Sequence, residues 1–292
     1  MVRSVACGAM DLSYVMGFGL GTTLALLALL RIGQRIFSPA HTVARDLAEG
    51  NAARRLLTVG QVLAVFLVAA NAVKNCLDGS GFARDLLWVS AFAVVGLLLV
   101  IATGQLGIRL LLRARLPAEI ERGNAAAGLA AGAHYVATGL ITSRAIAGKD
   151  LGDLAISLGF FLLAQVTLHV FISLFRALTT YDDAEQIQGE NLAAALSYAG
   201  ATIAVAILIA RALEGDFEGL FVSLKGYGGV LLYLLALYPV RQLLVQSLLL
   251  GAPLSLRGGR LDAGIAAERN EGMGALEAAT YLATSLAIAR LL

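Results

Sequence analysis

The chain has 292 residues, 59% of them hydrophobic and only 14% charged, with a mean hydropathy of +0.80. A soluble protein of this length could not bury so much apolar side chain, so the composition places the chain in a bilayer. A net charge of +2, with no basic cluster interleaved with aromatics, excludes a nucleic-acid surface.

About 20 mostly apolar residues cross the hydrocarbon, where backbone groups find no water and only helices satisfy them. Eight runs qualify, at about 12–31, 52–73, 86–112, 125–147, 152–176, 192–212, 226–250 and 272–292. The first is interrupted only at its start, by Asp11, and runs too far without a cleavage pattern for a signal-peptide core, so it reads as a retained span. The seventh has the least defined limits, because Tyr238 to Gln242 (YPVRQ) lie inside it. The expected fold is an all-α integral membrane protein of about eight transmembrane helices.

The even-numbered runs share a start. AEGNAARRLL, ERGNAAAGLA, QGENLAAALS and ERNEGMGALE recur roughly every 70 residues. They align Asn51, Asn124, Asn191 and Glu271, with a leucine five positions later in each: Leu56, Leu129, Leu196 and Leu276. The odd-numbered runs carry a weaker echo, Gln105, Gln165 and Gln242, each followed one helical turn later by another polar residue. The chain therefore reads as four two-helix units. Since each unit crosses twice, all four enter the membrane in the same sense, a parallel repeat about an axis along the membrane normal. Most of the 22 Lys and Arg residues flank the segments before the repeated motif, which assigns that side to the cytoplasm and both termini to the periplasm.

The motif, seen best in EIERGNAAAGLAAG and again in DLAEGNAARRLLTVG and EQIQGENLAAALSYAG, resembles the bacterial inner-membrane family known as domain of unknown function 350, the YjfL-like or UPF0719-type proteins. A usual member resembles half of this chain, so residues 1–147 and 148–292 look like two such four-helix domains fused in tandem. The resemblance implies topology, and a cytoplasmic membrane-stress protein as a partner, but no established activity. Glu271 departs from the asparagine of the other copies.

An asparagine at a helix start accepts a hydrogen bond from a free backbone N–H, and the nearby Asp46, Glu49, Glu119 and Glu121 suit the positive end of the helix dipole. That capping role competes with a second reading. If the units surround a common axis, Asn51, Asn124, Asn191 and Glu271 form a ring of oxygens able to select a partly dehydrated cation. Glycines such as Gly128 and Gly132 read as close helix contacts.

Ionisable groups within a span survive only when paired or hydrated. Arg241 and Glu277 fall at similar depth from the same membrane face, so they would form an ion pair unless Arg241 marks the end of the seventh span. His134 and His169 fall at one depth on adjacent spans, where two imidazoles would hydrogen-bond within the bundle, relay protons or ligate a haem. No metal motif such as HExxH or CxxC, no P-loop and no nucleophile motif is present, so neither a metal, another cofactor nor an enzyme is expected. Cys7 and Cys76 both fall on the periplasmic side, where they would form a disulfide or remain two free thiols. The acidic run Tyr181 to Gln186 (YDDAEQ) would attract a small cation or polyamine, or simply solvate a loop.

Two functions of different class follow. One is a channel- or transporter-like conduit for a small cation or proton along a polar face made by the repeated motif and Gln105, Gln165 and Gln242. The other is a non-conducting membrane scaffold, monomeric or oligomeric, that recruits a cytoplasmic partner. The first requires these side chains to line one hydrated path, and the second requires them to pair with neighbouring helices.

Overall fold

The computed structural model describes residues 11–37, 41–111, 116–215, 217–255 and 257–292, and every regular element among them is helical. Each unit is a long helix, a short helix and a second long helix. The first comprises α1 (Leu12–Phe37), α2 (Val43–Glu49) and α3 (Ala52–Cys76); the second, α4 (Phe82–Leu111), α5 (Leu116–Glu121) and α6 (Ala125–Ala145). The third comprises α7 (Leu151–Leu178), α8 (Asp183–Gln188) and α9 (Leu192–Ala212). In the fourth, the first crossing is divided into α10 (Leu220–Leu231), α11 (Leu234–Arg241) and a π-helical segment, Gln242–Leu249, before α12 (Arg260–Ala266) and α13 (Glu271–Leu291).

Among the described residues, 7 helical runs are long and apolar enough to cross a membrane, the seventh being the whole of Leu220–Leu249. α13 matches α6 and α9 at 21 residues and packs along α9, which makes it the eighth crossing, although Glu271, Glu277 and Arg290 lower its apolarity. The irregular seventh crossing has a local cause. Pro239 sits inside α11, where its missing N–H opens the hydrogen-bond ladder, and the turns that follow are widened.

α3, α6, α9 and α13 lie side by side in that order, while the first helices of the units pack over them: α4 against both α3 and α6, α7 against both α6 and α9. Because α3 and α13 stand at opposite ends and do not pack as neighbours, the four motif helices form a row and not the ring that a common axis would give. α6 and α9, in the middle, have no exposed residue along their length.

Lipid tails are as apolar as leucine, so the row is held by close packing at small residues. A methyl group added at Gly128 would run into the backbone of Ala53, and one at Gly60 into that of Gly132. The same meeting recurs between α9 and α13, where Gly274 faces Ala193 and Gly200 faces Ala278. At Gly139 an added Cβ would stand 2.7 Å from the Cα of Ala64.

Candidate functional site

Each asparagine has two tasks. Its Oδ1 caps its own helix, accepting from Arg54 N (2.9 Å) at Asn51, Ala127 N (3.1 Å) at Asn124 and Ala194 N (3.2 Å) at Asn191. Its Nδ2 reaches into the next unit and donates to the carbonyl ending the short helix there: Asn51 to Ile120, Asn124 to Ile187 and Asn191 to Ile265, each 2.8 Å. Within its own unit the same nitrogen is oriented by Glu119 Oε2 at Asn124 and by Gln186 Oε1 at Asn191, each 2.7 Å. The residue before the asparagine turns the chain through the left-handed region at Gly123 (φ 91°), Glu190 (φ 63°) and Arg269 (φ 51°), which explains the Gly-Asn pair in the second copy.

The fourth copy is corrected by one residue. Its cap is Asn270, whose Oδ1 accepts from Met273 N (3.2 Å), while Glu271 is the exposed first residue of α13. Helix packing agrees, because Gly128 and Gly274 stand equally far beyond Asn124 and Asn270 and face equivalent alanines, Ala53 and Ala193. The other motif acids divide. Asp46 is buried against the Thr58 hydroxyl (3.3 Å) and His41 (3.6 Å), Glu49 pairs with Arg45 on the surface, and Glu121 offers only its backbone carbonyl to Asn51.

The polar groups with most chemistry lie in units three and four. Arg241 is 0% exposed; its Nε meets Glu277 Oε1 at 2.6 Å and its Nη2 meets Asp262 Oδ1 at 2.5 Å. Gln242 accepts from Arg241 Nη1 (2.9 Å) and donates to Ser255 O (2.6 Å), and the Tyr238 ring lies 5.3 Å from the guanidinium carbon. Asp262 Oδ2 also accepts from Thr180 N (2.9 Å). The ion pair expected between Arg241 and Glu277 is thus present and fully buried, with Asp262 as a third member that the sequence reading missed. Its signal was available: Asp183 and Asp262 stand at the same distance before Asn191 and Asn270, where units one and two have Val43 and Leu116. Asp183 is itself buried and paired with Arg176 Nε at 3.3 Å. Desolvation pushes its carboxyl up to about 7, against the opposing pull of Arg176.

The histidines do meet. The rings of His134 and His169 touch edge to face, with centroids 5.7 Å apart, rather than flanking a slot of porphyrin width. His169 Nδ1 lies 2.9 Å from Gln165 O, whereas both ring nitrogens of His134 and the amide of Gln165 are buried without hydrogen-bond partners among the described residues. Gly107 makes room for this imidazole, since a Cβ there would strike His134 Nε2. The side chain of Gln105 and all of Cys7 lie outside the described residues; Cys76 is a buried free thiol. On the opposite face, Asp85 accepts from the Tyr14 hydroxyl (2.8 Å) and Gly79 N (3.1 Å), and Asp153 accepts from Lys149 N (2.8 Å), a second repeated link that sequence reading missed.

These features define a polytopic α-helical membrane protein in which repeated helix starts are joined unit to unit through asparagine. The chain belongs to the family described as Domain of Unknown Function (DUF350), whose family model matches it twice, over residues 8–146 and 150–292. It is similar to a UPF0719 transmembrane protein of Aquifex aeolicus (strain VF5), with 30% identity over 106 residues, which cover 36% of this chain and 40% of that protein. The chain therefore spans less than half the length of this curated relative. No solved structure matches.

Proposed function

We propose that the chain is a non-enzymatic scaffold of the bacterial inner membrane, with the motif side and its recruiting loops in the cytoplasm and both termini in the periplasm. The supporting observation is the use of the asparagine amides: Asn51, Asn124 and Asn191 are spent on caps and on carbonyls of the next unit, so none offers its nitrogen or cap oxygen to a permeating ion. The row has an open end at α13. Gly272, Ala279 and Ala283 are exposed there, at the positions where α3 presents Ala53, Gly60 and Ala64 to α6, and among the described residues Asn270 Nδ2 makes no bond to another unit. The other end of the row is closed to such packing, because α3 carries Arg55, Val59 and Phe66 where α6 has Gly128, Gly132 and Gly139. A second copy meeting α13 to α13 about a twofold axis along the membrane normal would pack this small-residue face against itself, an isologous contact unlike the heterologous one between units.

Conduction of a proton or small cation stays as the second reading, favoured by the buried charges around Arg241 and not by the asparagines. Proteoliposomes under K⁺ and proton gradients, with chemical crosslinking of an Ala279→Cys variant, test both. The scaffold reading expects no flux above empty liposomes and a crosslinked dimer; flux that Glu277→Gln abolishes, with Asn124→Ala leaving it intact, replaces it with conduction.

A further inference from the structure

A cavity of ≈ 20 Å³ lies between α7, α9 and α13, beside the Arg241 cluster. About 10–15 Å³ is enough for one water-sized body, so the space holds one and not a chain of them. Glu277 forms part of its wall. One of its oxygens, Oε1, is taken by Arg241; the other, Oε2, is buried with no hydrogen-bond partner among the described residues. Asp183 and Arg176 also line it, with Ser197, Tyr198 and Tyr281 supplying hydroxyls.

Charge counting shows what the cavity lacks. From α7 and α11 come two guanidinium groups, Arg176 and Arg241; from α8, α12 and α13 come three buried carboxylates, Asp183, Asp262 and Glu277. Asp182, also paired with Arg176, is partly exposed, so solvent screens its charge and it stays outside this buried count. An uncompensated buried carboxylate is costly, and a water molecule would satisfy Oε2 without neutralising it. A proton placed on Oε2 would turn an unpaired acceptor into an unpaired donor, and one on Asp183 would cancel the surplus while leaving Oε2 without a partner. A dication would leave the opposite surplus.

We infer that this cavity is a binding site for one small dehydrated monovalent cation, a sodium-sized ion held by Glu277 Oε2 and the Asp183 carboxylate. The inference goes beyond the scaffold role and does not depend on whether ions cross the membrane. Oxygen ligands of this kind, close enough to replace a hydration shell, are what hard cations take.

The test is thermal unfolding of the purified full chain at constant ionic strength in sodium, lithium or N-methyl-D-glucamine chloride, with magnesium chloride as a divalent control. At tenfold excess over its dissociation constant a bound ion favours the folded state about elevenfold, a midpoint rise of a few degrees. That rise is expected in sodium or lithium and not in the bulky organic cation, and it should vanish in Asp183→Asn. Glu277→Gln should remove it too, but this change also strips Arg241 of a partner, so Tyr198→Phe serves as the milder variant with a weakened sodium dependence. Equal midpoints in sodium and N-methyl-D-glucamine, a rise caused by magnesium alone, or a sodium effect undiminished in Asp183→Asn would each overturn the inference.

Discussion

Replacing Asn124 by alanine separates an inter-unit link from an ordinary helix cap. The substitution removes the cap on Ala127 N and the 2.8 Å bond to Ile187 O, and it leaves Glu119 without the amide it orients. Losing a cap costs roughly 0.5–2 kcal/mol. Two further hydrogen bonds are lost, to Ile187 O, which keeps its bond from Glu190 N (3.1 Å), and to Glu119 Oε2; at roughly 0.5–1.5 kcal/mol each they add roughly 1–3 kcal/mol. Allowing for overlap, the total is about 3 kcal/mol. Asn270→Ala removes only the cap to Met273 N, a loss of about 1 kcal/mol. At about 2–4 °C per kcal/mol for a chain of this size, the Asn124 variant should unfold some 4–8 °C below the Asn270 variant. Circular dichroism melting of the two proteins in one detergent measures the gap directly. Equal midpoints would refute the inter-unit link, since a cap alone gives both positions the same value.

Close approach of the row predicts that Gly60→Ala, which drives a methyl into the Gly132 backbone, costs about 1–3 kcal/mol, whereas Gly17→Ala and Gly226→Ala, which open onto free space, leave the melting midpoint within a degree or so. Arg241→Met should cost about 3–5 kcal/mol by stranding Asp262 and Glu277, read as reduced folded yield on size-exclusion chromatography; unchanged yield and melting would mean the carboxylates find other partners. Since the folded-state pKa of Asp183, about 7, lies above its ordinary value of 3.8, the folded protein binds the proton more tightly, and stability at this site is fully present below about pH 4 and lost as pH rises through 7. In a buffer whose only cation is bulky and organic, the melting midpoint should fall between pH 5 and 8, and Asp183→Asn should flatten that fall.

Elements whose cause is local were legible in the sequence. A cap and the helix it starts are neighbours along the chain, so Asn51, Asn124 and Asn191 announced themselves. The fourth copy misled because the chain holds one more residue between Ile265 and Asn270 than between Ile187 and Asn191, while Leu276 by coincidence restored the pattern around Glu271. Depth along a helix is simple arithmetic, and it found the Arg241–Glu277 pair. Asp262 escaped because its burial is made by the fold: on a short helix and two residues after Arg260, it reads as surface until the Gly258–Gly259 turn folds it against Thr180 and Arg241. Whether four units close into a ring or lie in a row depends on the angle at which each meets the next, and residue types do not encode that angle in any short stretch.

The two family segments differ in a way that tandem fusion permits. Val43 and Leu116 in the first half stand where Asp183 and Asp262 stand in the second, so the cluster around Arg241 occurs once among the described residues, although Asp46 and Asp85 are buried in the first half. Two identical half-length subunits, each with this second-half sequence, would carry the charged cluster in duplicate on either side of their symmetry axis, doubling the desolvation cost and making the sites equivalent. Covalent linkage lets the second half alone hold the Arg241 cluster, so a single molecule carries one such centre, asymmetric about its own midline.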